Sequence, residues 1–318
     1  VVEFRPRYLS LPNRHPMHGG YEVRPWLDEA DAILVLDCDV PWIPAQVEPR
    51  ADARIFQIGN DPLFARYPTR GFRSDGTVQA SPAAFLQALG AALSKLDIDS
   101  RDRADRLAWL QRIQASNRTQ LAAAINQGST AQGPLTMAAV SHVLGQALKR
   151  YPSAIVINEY SLVIAAMDLD QPGSYFGSSP VGGLGWGLPA ALGAKLARPD
   201  ALVVAVLGDG SYGFANPLAC HHAAAMHGIA TLTVILNNAG YGAVDRATRA
   251  LHPDGAAARQ GMELVSLEPA PRYTQVIESC GGWGARVETL AGLMPAIDQA
   301  IEQVQGHQRP ALVDVICR

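Results

Sequence analysis

Cysteine is scarce in this chain and forms no pattern. Cys38, Cys220, Cys280 and Cys317 are the only four, scattered over 318 residues. None has the short spacing of a zinc site, and four is far from the disulfide density of a small secreted fold. Free thiols in a reducing, cytoplasmic compartment are therefore the expectation. Charge is also thin: 17% of residues are charged, the net charge is −3 and no long basic run occurs. That leaves no electrostatic footprint for a nucleic acid. No apolar run approaches the roughly 20 residues a helix needs to cross a bilayer, so no membrane partner is expected. The start, Val1-Val-Glu-Phe-Arg-Pro-Arg7, lacks both the build of a signal peptide and an initiator Met. A terminus made by processing or cleavage is expected. There is no internal repeat and no low-complexity tract.

What the chain does have is apolar mass. Hydrophobic residues make up 48%, and the length suits two domains of ordinary size. Residues 1–95 read as part of a Rossmann-like α/β domain. Ala32-Ile-Leu-Val-Leu36 is a continuous apolar run, as in a strand buried on both faces. Arg54-Ile-Phe-Gln-Ile58 is a second strand. Ser81 is the expected N-cap and Pro82 the first residue of a helix whose apolar spacing continues through Leu86, Leu89 and Leu93. Two strands are few for a free-standing doubly wound sheet. Residues 96–133 read as a connector. It is helical in period from Asp99 to Asn126, with Leu107, Leu110 and Leu121 on one side, and then breaks in the polar stretch Gln127–Pro134.

Residues 134–318 alternate helix and strand. Helices are predicted at 136–149, 188–196, 217–227 and 290–304, and strands at 154–157, 201–207, 231–236, 284–287 and 311–316. That order predicts an α/β fold: a mostly parallel sheet with helices on both faces. Gly183-Leu-Gly-Trp-Gly187 has the wrong spacing for a dinucleotide fingerprint and no apolar strand directly before it. His221 and His222 fall inside a predicted helix and read as packed or interfacial. Trp42, Trp186 and Trp283 read as core or interface. The stretch from Asn238 to about Pro271 is poor in large apolar residues and is a candidate lid, with Tyr241, Asp245 and Arg246 at its root.

The most specific feature is a pair of strand ends. Gly208-Asp209-Gly210 closes one apolar strand and Asn237-Asn238 closes the next, with 26 residues (211–236) between them. Small polar residues at the carboxyl ends of parallel strands sit where open α/β sheets bind ligands. One carboxylate, one amide oxygen and nearby backbone carbonyls make a hard-oxygen set that suits magnesium, whose other ligands are typically phosphate oxygens and water.

This spacing resembles the thiamine diphosphate enzymes of the acetolactate synthase, benzoylformate decarboxylase and pyruvate decarboxylase type. Their motif is Gly-Asp-Gly, some two dozen residues, then Asn-Asn. Gly182-Gly-Leu-Gly-Trp-Gly-Leu-Pro-Ala-Ala191 lies upstream at the distance of that family's pyrimidine-holding segment. The resemblance implies thiamine diphosphate and Mg2+ as cofactors. Asp209, Asn238 and the backbone carbonyl of Gly240 would be the metal ligands. Gly208 opens the motif, Gly210 and Ser211 would give backbone N–H groups to the diphosphate, and Tyr241 would stand close by. By the same resemblance Gly182 and Leu184 would take the direct part in the chemistry, Gly182 accepting from the pyrimidine amino group and Leu184 acting as the wedge beneath the cofactor. Read from the residues alone, Leu184 is equally a core leucine. Asn158 and Glu159, after the strand at 154–157, would line the diphosphate pocket.

The resemblance also implies what is to be found elsewhere. The family's activating glutamate lies in a pyrimidine-binding domain, and no segment here resembles that domain. A partner chain or a missing N-terminal half is implied, in a dimer or tetramer of assembled units. FAD binding cannot be inferred. The expected substrate is a 2-oxo acid, decarboxylated and then joined to a second carbonyl compound as in acetolactate synthases. A plain decarboxylase of the benzoylformate type is the alternative, because Gly242-Ala-Val-Asp-Arg-Ala247 lacks the Met-Val and Gln-Trp of leading acetolactate synthases. A non-catalytic cofactor-binding fragment is a third reading.

Overall fold

The computed structural model describes residues 1–97, 99–127, 135–159, 161–177 and 182–317. The chain divides into two compact units, Val1–Phe4 with Gly19–Asn117, and Arg5–His18 with Arg118–Arg318.

The smaller unit is built on a three-stranded parallel sheet, in the order β1 (Ala32–Leu36), β2 (Arg54–Gly59), β3 (Gly76–Gln79). The third strand is an addition to the sequence reading. It is short, and three of its four residues are exposed, so it lacks the apolar run that marks β1 and β2. Val35 and Ile55 pack with Val23, Leu27 and Trp42 into its core, the last two lying in α1 (Arg24–Leu27) and in the loop after β1. Helix α2 (Pro82–Leu93) opens as expected, with the Ser81 hydroxyl accepting from Ala84 N–H and Pro82 in the first turn. Its leucine stripe is uncovered in this chain, with Leu86 48% and Leu93 43% exposed. Helix α3 (Ser100–Gln127) is continuous, and its buried residues are Leu110 and Ile113. Leu107, expected beside Leu110, is exposed, because the inward stripe runs through Ile113 instead. The break read at 127–134 lies outside the described residues after Gln127.

Among its described residues the larger unit carries six strands, all paired in parallel: β4 (Ile155–Glu159), β5 (Tyr175–Gly177), β6 (Val203–Gly208), β7 (Leu232–Asn237), β8 (Trp283–Val287) and β9 (Ala311–Ile316), in the order β5-β4-β6-β7-β9-β8. Side-chain alternation along each strand divides the core in two. Val156, Val204, Val206, Leu232, Val234, Val313 and Val315 face α4 (Met137–Leu148) and α12 (Leu290–Gln305). Ile155, Ile157, Val203, Ala205, Leu207, Ile235 and Leu312 face the other way, with α6 (Gly187–Ala197) and α11 (Tyr273–Glu278). Burial on both faces is why these strands read as unbroken apolar runs.

The ends of α4 and α12 follow their caps: Thr136 accepts from Ala139 N–H and Thr289 from Gly292 N–H. Short α5 (Ile164–Met167) leads to the edge strand β5, another strand missing from the sequence reading because it is only three residues long. Arg5–His18 belongs to this unit. Tyr8 bridges to Phe176 beside β5, and Gly177 N–H donates to Arg7 O at 2.7 Å.

Further helices were not expected. Helix α7 (Asp209–Phe214) starts at the residue after β6 and precedes α8 (Pro217–His227). The candidate lid is largely helical, as α9 (Gly242–Leu251) and α10 (Ala256–Gln260). Its base is closed by Tyr241 N–H to Val265 O and Leu267 N–H to Ala239 O, both at 2.8 Å. Among the described residues no helix is long and apolar enough to cross a membrane.

Candidate functional site

Strand order places the site. The connection from β4 leads to β5 on one side, and that from β6 leads to β7 on the other. The carboxyl ends of neighbouring β4 and β6 therefore form a topological switch point, where open α/β sheets leave a crevice. β4 delivers Asn158 and Glu159 there, β6 delivers Gly208 and Asp209, and adjacent β7 delivers Asn237 and Asn238.

The turn from β6 into α7 is abrupt. Gly208 is extended, at φ −73° and ψ 157°, and Asp209 is already helical. The first backbone N–H groups of a helix have no acceptor within it, so Asp209, Gly210 and Ser211 present donors at the end that favours an anion. Gly210 must lack a side chain: a β-carbon there would lie 2.6 Å from a ring carbon of Tyr241.

Asp209, Asn238 and Gly240 converge. Asp209 is 1% exposed, and its Oδ2 accepts from Gly240 N–H at 3.0 Å. The Asn238 amide can be placed two ways. With its oxygen inward, that oxygen lies 2.8 Å from Gly240 O and 3.1 Å from Asp209 Oδ1, three oxygens with no proton among them. With nitrogen inward, it donates to both. The first arrangement is stable only around a cation, and an all-oxygen set of this kind fits Mg2+. Burial pushes the Asp209 carboxyl above the usual carboxylate range, and the N–H groups of Gly210 and Gly240 pull it partly back. A buried carboxylate short of counter-charge is what a dication offsets.

Behind this cluster is a pair that sequence reading missed. Asn237 Nδ2 donates to Asp314 Oδ1 at 2.9 Å, and Asn237 Oδ1 accepts from Ala239 N–H at 3.0 Å. The available signal was a carboxylate in the middle of the apolar strand Ala311–Ile316.

Asn158 and Glu159 are buried, and their polar atoms are engaged within the protein. Asn158 Oδ1 accepts from Ser161 and Leu162 N–H, and its Nδ2 donates to Tyr175 Oη at 3.0 Å. Glu159 takes Gly185 N–H at 2.7 Å and Gly187 N–H at 2.6 Å. Both side chains thus hold the structure around the crevice. Gly182 is exposed and so is Leu184, at 43%, so the reading of Leu184 as a core leucine is corrected. Trp186 is also at the surface, whereas Trp42 is core. His221 is packed, its Nε2 2.8 Å from Tyr212 Oη, and His222 is exposed. Asp245 is ion-paired to Arg249 one turn along α9.

The family described as thiamine pyrophosphate enzyme, C-terminal TPP binding domain, matches residues 159–315. Residues 159–315 thus match the cofactor-binding domain of the thiamine pyrophosphate enzymes, over just under half of this chain. A probable acetolactate synthase of Mycobacterium bovis is 35% identical over 151 residues, 47% of this chain and 25% of that protein. Benzoylformate decarboxylase of Pseudomonas aeruginosa is 30% identical over 188 residues, 58% of this chain and 32% of that protein. The solved structure of the thiamine diphosphate-dependent 4-hydroxybenzoylformate decarboxylase of Rhodococcus jostii RHA1 shares the fold. Its TM-score is 0.71 at 23% identity, covering 99% of this chain and 55% of that one. The chain thus spans about half or less of the length of these proteins.

Proposed function

We propose that this chain is the cofactor-holding part of a thiamine diphosphate- and magnesium-dependent enzyme that decarboxylates a 2-oxo acid and joins the product to a second carbonyl compound. The observation that carries this is the convergence of the Asp209 carboxylate, the Asn238 side-chain amide and the Gly240 carbonyl beside the opening turn of α7. A diphosphate brings three negative charges to that point, and needs both a dication and backbone donors. Asp209 Oδ1, Asn238 Oδ1 and Gly240 O would hold the metal; the N–H groups of Gly210 and Ser211 would hold phosphate oxygens. Leu184, exposed at the mouth of the crevice, would support the cofactor from below, with the Gly182 carbonyl accepting from its pyrimidine amino group. Bound thiamine diphosphate would supply the nucleophilic carbon and the electron sink that decarboxylation of a 2-oxo acid requires. A pyrimidine-binding domain from another chain or another part of the protein would contribute the activating glutamate, in a dimer or tetramer.

Replacing Asp209 by Ala in the assembled protein tests this. Titration with thiamine diphosphate and magnesium should show affinity lost; undiminished affinity sinks the reading. A plain decarboxylase is the second reading, favoured by Gly242-Ala-Val-Asp-Arg-Ala247, which lacks the Met-Val and Gln-Trp of leading acetolactate synthases, and by the benzoylformate decarboxylase relative. Product analysis separates the two: acetolactate or acetoin from pyruvate supports carboligation, benzaldehyde from benzoylformate the alternative. An assembled protein that binds the cofactor yet releases no carbon dioxide from any 2-oxo acid would be a non-catalytic binding subunit.

A further inference from the structure

We propose that Asp314 is a positioning residue for the metal loop: through Asn237 it fixes the backbone turn at Ala239 that aims Asn238 and Gly240 at Asp209. The proposal rests on the metal reading above.

Asp314 is 1% and Asn237 2% exposed, so neither side chain has water to turn to. They lie on the same face of adjacent strands, because Asp314 pairs in register with Ile235, two residues before Asn237. A carboxylate only accepts, so it can bind only the nitrogen end of the Asn237 amide. That choice leaves the amide oxygen facing the next turn, where it accepts from Ala239 N–H at 3.0 Å. Rotating the amide by half a turn would set oxygen against carboxylate and N–H against N–H. Asp314 therefore decides which way Asn237 faces.

The turn it holds is one the backbone resists. Ala239 has φ +53°, the left-handed region that residues with a β-carbon seldom occupy. The reversal at Ala239 separates the two proposed ligands, Asn238 before it and Gly240 after it. It also brings Gly240 N–H within 3.0 Å of Asp209 Oδ2. Released from Asn237, Ala239 would relax toward negative φ and both oxygens would leave the cluster.

The test uses the full chain with its accompanying subunits and Mn2+ as the probe, followed by electron paramagnetic resonance in the presence of thiamine diphosphate. Asp314→Val, close in shape and suited to a strand, should weaken Mn2+ binding by about 10–100-fold, the usual cost of losing a group that orients a metal ligand. Asp314→Asn, which can present an oxygen to the same nitrogen, should lose far less. Ala239→Gly added to Asp314→Val should recover much of the loss, because glycine takes positive φ freely. Amide exchange over residues 238–242 in metal-free protein should rise in Asp314→Val and fall back in Asp314→Asn. Should Asp314→Val not fold, Asn237→Ala removes the same two bonds and is read the same way. A merely structural role would lower the melting temperature and leave Mn2+ affinity and local exchange at parental values, and that result overturns the proposal. Asp209→Ala separates the two claims. Parental Mn2+ affinity in Asp209→Ala overturns the metal reading and this proposal with it. Loss in Asp209→Ala with none in Asp314→Val overturns this proposal alone.

Discussion

One carboxylate of Glu159 ties down two backbone N–H groups, those of Gly185 and Gly187. It thereby joins the carboxyl end of β4 to the start of α6, where a negative charge also suits the helix. An amide at this position has one oxygen for two donors. Glu159→Gln should therefore cost about 1–3 kcal/mol of stability, the penalty for an unsatisfied buried donor, and should loosen the 182–187 segment. Denaturant unfolding measures the first, and cofactor titration the second. Parental values in both would mean the bridge does nothing for the fold or the crevice.

Gly185 sits inside that bridge with φ +92°, and a β-carbon there would lie 2.6 Å from Phe214 C and O and 2.8 Å from Ala215 N. Those are backbone atoms, so no side chain can swing aside. Gly185→Ala is expected to destabilise by about 2 kcal/mol or more. Gly183→Ala is the control, with nothing within 4 Å of its β-carbon; its effect should stay within about 0.5 kcal/mol. Equal melting temperatures for the two variants would contradict the geometry.

Leu184 discriminates packing from function. At 43% exposure, its truncation to Ala should change the stability of this chain by no more than about 0.5 kcal/mol. Turnover of the assembled enzyme should drop while the fold holds. A large loss of stability in the isolated chain would return Leu184 to the core.

His221 gives a pH signature. Burial lowers its pKa from the ordinary 6.5 to about 4. The unfolded chain therefore binds a proton between pH 6.5 and 4 that the folded chain refuses, so stability is full above pH 6.5 and declines as pH falls toward 4. The whole effect is on the order of 3 kcal/mol. His221→Gln, which still offers Tyr212 a partner, should flatten this part of the stability profile. An unchanged slope in that variant would show that other groups carry it.

The parts of the site that could be read in the sequence were those set by chain-local rules. Gly208-Asp209-Gly210 and Asn237-Asn238 announced themselves because a strand buried on both faces is an apolar run, and its polar end is conspicuous. The Ser81 and Thr136 caps follow from which side chains can reach the first N–H groups of a helix. β3 and β5 escaped because each is too short, and too exposed or too interrupted, to show a period. α9 and α10 escaped because the span holds few large apolar residues, and neither helix has a buried residue.

The sequence by itself determined the parallel α/β order, the positions of the strand ends and the oxygen-bearing residues placed there. Only the tertiary structure decided what Glu159 and Asp314 do. Each is a charge at or within an apolar strand, and the sequence can say that it is buried but not against what. Glu159 meets Gly187 across 28 positions of chain, and Asp314 meets Asn237 across 77. Neighbours in a parallel sheet are chosen by crossovers, and no local periodicity records which strand will lie beside which.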